Sequence, residues 1–402
     1  MDDPDNQNTL TSFESEKILE ALRKGVVPIH HLQRFSVGRN FWLDSIKSDL
    51  DFVRQGASKV RFLSAPYGGG KTHFLSLIKE EALKNRYVVS YVELHSREAP
   101  MDRFEIIFPK IMRGIVVSED NKGLEHIFET WVNSFHFYSQ DEIEKNLREI
   151  ASSLDFRAAL RSYLGFAGTK SPDHQEYMRA ILGWLGGSKL PSQLVVRTGI
   201  RNTISISNVS EIMGSFLQFI RSIGFAGLLL LFDEAEVVTS LTQSRKRAEA
   251  NQNIRKMLDN ADNYLGLYII FATTPQFMED PTRGARSYPA LWERIKDVIN
   301  LNLQRLNRRS IIIPLLPLGE KELQKLAERI IETHGKAYNW EASKQFSEKA
   351  KDSYVQSFQQ RDKQKLARHF IRVLVALLDT LEQMGDEIHL EKEIQNLTFE
   401  EL

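Results

Sequence analysis

The most informative feature of the sequence is the stretch Ala65-Pro66-Tyr67-Gly68-Gly69-Gly70-Lys71-Thr72. It follows the apolar run Val60 to Leu63 and precedes a helix-like segment that begins at His73. Apart from Ala65 in place of the first glycine, it matches the phosphate-binding pattern G-x-x-x-x-G-K-[ST]. In that pattern backbone N–H groups face the phosphates, Lys71 reaches the β/γ oxygens, Thr72 offers a hydroxyl to Mg²⁺, and the helix dipole adds to the anion site. The predicted nucleotide-binding residues here are Pro66, Tyr67, Gly68, Gly69, Gly70, Lys71, Thr72 and His73.

A second motif follows the continuous apolar run Leu228 to Phe232, which is typical of a central parallel strand buried on both faces. The run ends in Asp233 and Glu234. In a nucleoside triphosphatase, Asp233 would hold Mg²⁺ through its water shell, and Glu234 would activate the attacking water as general base. Glycine-rich turns before a lysine also arise by chance, but the two motifs together favour ATP or GTP binding.

Composition sets the class of protein. A chain of 402 residues has room for two or so domains of ~100 to 200 residues each. Lys and Arg number 53 against 53 Asp and Glu, so contact with nucleic acid or membrane would need a local patch. The chain has no cysteine, which excludes disulfides and thiolate chemistry. The acidic start is unlike a signal peptide and no apolar run approaches a membrane span, so we expect a soluble, cytoplasmic protein with no membrane contact.

Strand and helix patterns alternate along the chain, which predicts an α/β fold with a doubly wound parallel sheet. Helical patterns from about 104 to 205 interrupt the alternation and predict a helical insertion. Glu93 and His95, at the end of the second strand, are polar side chains that could face the γ-phosphate. The predicted strands are Val60–Leu63, Tyr87–Leu94, Leu228–Phe232, Leu267–Phe271 and Ile311–Leu315, and the main predicted helices are 14–24, Phe41–Val53, Phe74–Leu83, Phe156–Tyr163, Tyr177–Leu185 and Ile212–Ile220.

Two threonines, Thr273 and Thr274, follow the strand Leu267–Phe271. We expect this strand to lie between the two strands that carry the motifs, which would bring either hydroxyl near the γ-phosphate. The alternative is that the Thr-Thr-Pro turn only ends the strand.

The order of the motifs, the triplet Val37-Gly38-Arg39 and the helical C-terminal block resemble AAA+ ATPases, and more narrowly their initiator (Orc/Cdc6-like) branch. This resemblance implies that Val37, Gly38 and Arg39 contact adenine, that Thr273 or Thr274 is a sensor, and that the C-terminal helices form a lid. It predicts an N-terminal helical segment (1–24), a P-loop AAA+ ATPase domain (25–318) with the helical insertion, and a helical lid domain (319–402).

Four segments together resemble a narrower family, the BrxD-like P-loop ATPases of bacterial BREX-type phage-defence islands, over about residues 20 to 383. These segments are Gly25–Pro28, Val37–Arg39, Ala65–Leu75 and Gly227–Glu236. The resemblance implies a homo-oligomeric defence ATPase that acts around DNA, with a helicase or another defence protein as partner.

Arginines would complete an AAA+ site, because a neighbouring subunit's arginine usually stabilises the transferring phosphoryl group. The candidates lie in Thr282–Ser287 and at Arg294, on the helix-like segment Ala290–Val298. The family's arginine position could instead fall on Val298, and the alternative role for Arg294 is an exposed ion pair.

The C-terminal block carries an apolar stripe, which places Arg368 and Arg372 together on the opposite, polar face. Arg368 resembles the lid arginine that contacts the γ-phosphate; the alternative is a solvated cationic face. The stripe consists of Leu366, Phe370, Leu374, Leu377 and Leu381.

The sequence indicates contact with DNA less strongly than it indicates nucleotide binding. The cations of Arg245-Lys246-Arg247 and Arg255-Lys256 follow the acidic motif on one predicted helix, either as a phosphate-contacting surface or as a solvated face. The segment Met384–Leu402 is short and mostly polar, so we expect any DNA contact to come from the ATPase core, the insertion or a partner.

The sequence therefore predicts a Mg²⁺-dependent ATPase whose hydrolysis of ATP drives remodelling or loading on DNA or on a DNA-processing partner. The first alternative is a nucleotide-gated oligomeric scaffold or switch with little turnover. A small-molecule kinase is the second, weakened by the adjacent Asp-Glu pair and by the lack of an obvious acceptor site.

Overall fold

The computed structural model describes residues 10–28, 31–118, 120, 123–134, 139–168, 171–296, 307–362, 364–385 and 389–397. The strands are β1 (Lys59–Ser64), β2 (Val88–Glu93), β3 (Ile115–Val116), β4 (Leu228–Asp233), β5 (Leu267–Thr273) and β6 (Ile312–Pro314). The helices are α1 (Ser12–Arg23), α2 (Asn40–Arg54), α3 (Lys71–Lys84), α4 (Phe104–Arg113), α5 (Leu124–Ser134), α6 (Gln140–Ile150), α7 (Leu154–Ala167), α8 (Pro172–Leu185), α9 (Ser192–Thr198), α10 (Val209–Ser222), α11 (Val237–Ser240), α12 (Ser244–Asn260), α13 (Pro275–Glu279), α14 (Pro289–Ile295), α15 (Glu320–Tyr338), α16 (Ala342–Gln345), α17 (Glu348–Arg361), α18 (Ala367–Met384) and α19 (Leu390–Asn396).

The chain divides into two compact units. The helical unit comprises Met1–Leu43, Ala65–Leu77 and Pro314–Leu402, and the sheet unit comprises Asp44–Ser64 and Ile78–Ile313. The division differs from the predicted domain boundaries after residues 24 and 318, because the glycine-rich stretch and the residues up to Leu43 group with the C-terminal helices. Contacts within the folded chain do not test which segments fold on their own, so the three predicted domains stay a prediction.

The sheet has the strand order β3-β2-β4-β5-β1-β6. The pairs β2–β4, β4–β5 and β5–β1 are parallel, and the β2–β3 pair is antiparallel. Every residue of β4 and β5 is buried, as expected of central strands covered on both faces. The prediction that the strand before Thr273 lies between the two motif-bearing strands is confirmed.

All five predicted strands are present, with ends within one or two residues of the prediction. The predicted helical insertion from about 104 to 205 contains α4 to α9. It also contains β3, which was not expected; this strand has only two residues, too few to show a strand pattern. None of the described helices is both long and apolar enough to cross a lipid bilayer.

Three phenyl rings stack across the middle of the sheet. Phe62 on β1 and Phe271 on β5 are partners in register, with ring centroids 5.3 Å apart. Phe271 is also in register with Phe232 on β4, at 5.1 Å. All three side chains are fully buried. The row lies directly before the carboxyl ends of β4 and β5, so it fixes the positions from which Asp233 and Thr273 leave the sheet.

A buried charged network lies within the sheet unit, centred on Asp49 of α2. The Arg61 guanidinium on β1, only 1% exposed, donates to both Asp49 carboxylate oxygens at 2.8 and 2.9 Å. Tyr268 of β5 donates its hydroxyl to Asp49 at 2.8 Å, and the Lys59 ammonium lies 2.6 Å from the same carboxylate. Burial, followed by the charge of Asp49, raises the pKa of Tyr268 well above its usual value. The network ties α2 to two adjacent strands.

The helical unit has its own core, where α1 packs on α15 and α18. At its centre the fully buried His334 accepts the Trp340 indole N–H at Nδ1 (2.9 Å), so its proton is on Nε2 and is donated to Asp379 at 2.9 Å. Arg23 of α1 donates to both oxygens of Asp379 at 2.8 and 2.6 Å. Burial lowers the pKa of His334, against the opposing effect of Asp379. The ring is therefore neutral, and its two hydrogen bonds depend on that state.

We expect Asp49→Ala to lower the free energy of unfolding by about 3–5 kcal/mol, because it leaves a buried guanidinium without its anion. The measurement is urea denaturation. Asp44→Ala, on the same helix, is the matched control: its ion pair with Arg308 is about half exposed and 3.4 Å long, so its loss costs about 0–1 kcal/mol. Equal effects of the two substitutions would contradict the role of the network.

A second prediction concerns the loss of stability at acidic pH. Since the folded pKa of His334 lies below the unfolded value of about 6.5, its contribution to stability is complete above that pH and is lost as the pH falls below it. We expect the thermal midpoint to fall between pH 7.5 and 5.5, and to fall less in His334→Gln, which cannot take up the proton. The comparison isolates this residue from His73, whose pKa is also lowered by burial. Parallel pH profiles for the two proteins would exclude His334 as the source.

Candidate functional site

The glycine-rich loop begins directly after β1 and ends where α3 begins at Lys71. Gly68 and Gly70 have φ of +72° and +93°, the left-handed region that glycine adopts without strain. The loop is closed by a hydrogen bond from the Gly69 amide to the Pro66 carbonyl at 3.0 Å. A Cβ at position 69 would lie 3.0 Å from the Pro66 carbonyl oxygen and 3.2 Å from the Ala65 side chain, so this position has little room for a side chain.

Lys71 is folded back over its own loop. The side chain is 6% exposed, and its ammonium donates to the Ala65 carbonyl at 3.2 Å. It also lies 4.7 Å from the ring centroid of Tyr67, whose side chain is largely exposed. Thr72 is exposed at the first turn of α3.

His73 makes a hydrogen bond outside the glycine-rich loop. Its Nε2 donates to the carbonyl of Leu32, in the short 3₁₀ helix Leu32–Phe35, at 3.2 Å. Burial, together with the positive charge of Arg39, lowers the pKa of the imidazole. The neutral ring thus connects the first turn of α3 to the Leu32–Phe35 segment.

The predicted adenine-contacting triplet packs against α15. Val37 is 6% exposed and belongs to the core of the helical unit, and Gly38 lies beside Glu322. The Arg39 guanidinium donates to the Leu316 carbonyl at 2.9 Å. Burial lowers the pKa of Arg39 to about 10, and Glu322 partly offsets this effect. An adenine role for the triplet stays a prediction.

Arg368, the lid candidate, lies against the loop within the helical unit. Its backbone amide donates to the Gly68 carbonyl at 3.3 Å. Its side-chain stem passes beside both Gly68 and Gly25, since a Cβ added to either glycine would lie 3.2 Å from an Arg368 carbon. Arg372 also lies beside Gly25. The predicted apolar stripe of α18 is buried, with Arg368 on the exposed side.

The acidic motif ends β4 in the sheet unit. Asp233 is 2% exposed, and both of its carboxylate oxygens accept hydrogen bonds. The Glu234 amide donates to Oδ1 at 2.9 Å, and the Tyr91 hydroxyl donates to Oδ2 at 2.6 Å. Burial and then the negative charge of Asp233 raise the pKa of Tyr91 well above its usual range, so the phenol keeps its proton.

Glu234 has a left-handed backbone, with φ of +56°. A residue with a Cβ in this region costs about 1–3 kcal/mol and persists only where its surroundings enforce it. Here the next residue, Ala235, is fully buried and its amide donates to the Ala272 carbonyl of β5 at 2.9 Å. This anchor directs the Glu234 side chain out of the strand, where it is partly exposed.

The two threonines after Phe271 have different environments. Thr273 is fully buried and donates its hydroxyl to the Thr274 carbonyl at 3.3 Å. Thr274 caps α13, since its side-chain oxygen accepts the Phe277 amide at 3.3 Å. The observed contact of Thr274 is therefore that of a residue at which the strand has ended and a helix begins. A sensor role for either residue stays a prediction.

The arginine-finger candidates make contacts within their own chain. Arg294 on α14 is paired with Asp259 and donates to the Ala290 carbonyl at 2.7 Å, with 40% of its side chain exposed. This is the geometry of the exposed ion pair. Arg283 donates to the Leu241 carbonyl at 3.2 Å. Val298 lies outside the described residues.

The basic cluster lies on α12, where several of its cations already have partners. Arg245 pairs with Glu249 at 2.8 Å, Arg247 donates to the Leu241 carbonyl at 2.6 Å, and Arg255 lies 3.5 Å from Asp259. These contacts are those of a solvated helix face, and a DNA role for the cluster stays a prediction.

Tyr91 was not singled out from the sequence, although it contacts Asp233. The alternation of side chains along β2 could have indicated it, because Tyr91 lies on the same face of the strand as Glu93, two residues further along. Glu93 is the register partner of Asp233 and is exposed. The His95 ring accepts the amide of Arg97 at 3.3 Å, within its own turn.

The carboxylate of Asp233 fits a Mg²⁺ site of the kind completed by nucleotide. Mg²⁺ is commonly held by one or two carboxylates together with substrate phosphates, rather than by an all-protein cage. In the described part of the chain no group of three or more His, Asp or Glu side chains is arranged to hold a metal ion.

Comparison with known families agrees with the motifs. The family model described as "BREX system ATP-binding protein BrxC/D" matches residues 11–397. A comparison with curated proteins gave no match. The family match covers nearly the whole sequence and confirms the resemblance to BREX ATPases. The chain belongs to the BrxC/D family of BREX system ATP-binding proteins.

Proposed function

We propose that this protein is a Mg²⁺-dependent AAA+ ATPase with a doubly wound P-loop fold, which hydrolyses ATP in the cytoplasm to remodel or load DNA or a DNA-processing partner in phage defence. The strand order carries the proposal. Parallel strands β1, β5 and β4 lie side by side, the glycine-rich loop follows β1 in the chain, and Asp233-Glu234 ends β4. In open α/β sheets, ligands bind beyond the carboxyl ends of the strands.

The residues then take the following roles. Gly68 to Gly70 offer backbone N–H groups to the phosphates, and the Lys71 ammonium exchanges the Ala65 carbonyl for the β/γ oxygens. Thr72 and Asp233 hold Mg²⁺, which, when bound, neutralises charge on those oxygens. Glu234 accepts the proton of the attacking water. Thr273 or Thr274 contacts the γ-phosphate.

Arg368 connects nucleotide to lid in this proposal. The side-chain stem of Arg368 already lies beside Gly68, so a rearrangement of the loop on ATP binding would be transmitted directly to α18. A guanidinium is suited to bind phosphate oxygens in a bidentate manner. Hydrolysis would then change the lid position, and in a homo-oligomer this movement would be passed to the neighbour, whose Arg294 or Arg283 supplies the finger.

We expect Glu234→Gln to lower ATP turnover by about 100- to 10,000-fold, because it removes the general base while keeping the shape of the side chain. Nucleotide binding should remain. Lys71→Ala should instead raise the dissociation constant for ATP by about tenfold to a hundredfold, since it removes a charge-assisted hydrogen bond. The measurements are phosphate release and fluorescent-nucleotide binding.

Glu249→Gln is the matched control for the base. It makes the same carboxylate-to-amide change on α12, where Glu249 contacts only an exposed arginine among the ion pairs of the described residues, so turnover should stay within about twofold of wild type. Unchanged turnover in Glu234→Gln would reject Glu234 as the base.

The alternative function is a nucleotide-gated scaffold with little turnover. One observation favours it: Arg294, the first finger candidate, is engaged by Asp259 of its own chain. A switch of this kind needs only two states with different affinities for nucleotide.

The effect of DNA on ATP turnover distinguishes the two functions. For a remodelling ATPase we expect double- or single-stranded DNA, or the partner helicase, to raise turnover, and Glu234→Gln to accumulate an ATP-bound oligomer in mass photometry. Background turnover under every condition, with an assembly state that still changes on ATP addition, would favour the scaffold.

A further inference from the structure

Tyr91 makes a specific contact with the candidate metal ligand. It lies on β2, directly beside β4, and is in register with Leu231 two positions before Asp233. Because side chains alternate along a strand, Tyr91, Leu231 and Asp233 share one face of the sheet. The phenol extends forward along the strands, and its hydroxyl donates to Asp233 Oδ2 at 2.6 Å.

This contact completes the orientation of the carboxylate. The other oxygen, Oδ1, accepts the Glu234 amide at 2.9 Å. These two hydrogen bonds, one to each oxygen, fix both the rotamer and the plane of the Asp233 carboxylate.

Holding the sheet together does not account for the contact. The backbone register of β2 with β4 runs over the whole of both strands, from Val88–Leu228 to Glu93–Asp233. The neighbouring residues Val92 and Phe232 are buried in the same core. One side-chain hydrogen bond at the end of the ladder adds little to this cohesion, but it acts directly on the residue that the site requires.

We propose that Tyr91 is a positioning residue for Mg²⁺·ATP: its hydroxyl holds the Asp233 carboxylate in the orientation that receives the metal. This inference rests on the proposed function of Asp233. Mg²⁺ and the waters that it keeps require near-ideal octahedral geometry, so a carboxylate that rotates freely holds them less well. Hydrogen-bond partners of metal-binding carboxylates commonly change metal affinity by about 10- to 100-fold when removed.

The test is Tyr91→Phe, which removes the hydroxyl and keeps the ring. Tyr268→Phe is the matched control, because it also removes a tyrosine hydroxyl that donates to an aspartate, at 2.8 Å, in the Asp49 network of the same sheet. Binding of a fluorescent ATP analogue is titrated with Mg²⁺ and repeated in EDTA. Turnover is followed over the same Mg²⁺ range.

We expect Tyr91→Phe to raise the Mg²⁺ concentration for half-maximal binding about tenfold, with binding in EDTA and turnover at saturating Mg²⁺ close to wild type. The control should lower the thermal midpoint without changing the Mg²⁺ dependence. The same Mg²⁺ dependence in Tyr91→Phe and wild type would overturn the proposal, as would an equal loss of binding with and without Mg²⁺. If wild type binds no nucleotide under either condition, the proposed function itself fails, and the Tyr91 assignment with it.

Discussion

The stacked rings of Phe62, Phe271 and Phe232 hold the carboxyl halves of β1, β5 and β4 in a single register. A slip of one residue in any of these strands would turn its phenyl ring to the opposite face and carry the residues after it out of line. The position of Asp233, which directly follows Phe232 at the end of β4, depends on this row. Apolar packing thus determines where the charged residues stand.

A tyrosine hydroxyl donates to an aspartate carboxylate at two places in the sheet unit, and the two contacts have different roles. Around Asp49 the carboxylate is enclosed with Arg61 and Lys59, so its negative charge is met by two cations within the sheet unit. Around Asp233 a phenol and a backbone amide each donate to one carboxylate oxygen and orient the group. The first arrangement connects elements of the fold; the second orients a carboxylate at the end of a strand.

The features that could be predicted from the sequence are those that neighbouring residues encode. A continuous apolar run ending in Asp233-Glu234 specifies a buried strand and its polar end, and the helix stripe that includes Phe370 specifies which side of α18 is exposed. The Tyr91–Asp233 contact joins residues 142 positions apart, and no local pattern indicates that β2 lies beside β4. The partner of Arg294 likewise depends on how α12 and α14 pack together. Strand β3 is too short to carry a pattern at all.

The left-handed backbone of Glu234 has a consequence for how this position tolerates change. Glycine would adopt that conformation without cost, whereas glutamate is held in it by the anchoring of Ala235 to β5. Replacing Glu234 by glycine would relieve the backbone strain of the folded chain, but it would also raise the conformational entropy of the unfolded chain. In the proposed function, the strain at this position accompanies the placing of a carboxylate where the backbone alone would favour glycine.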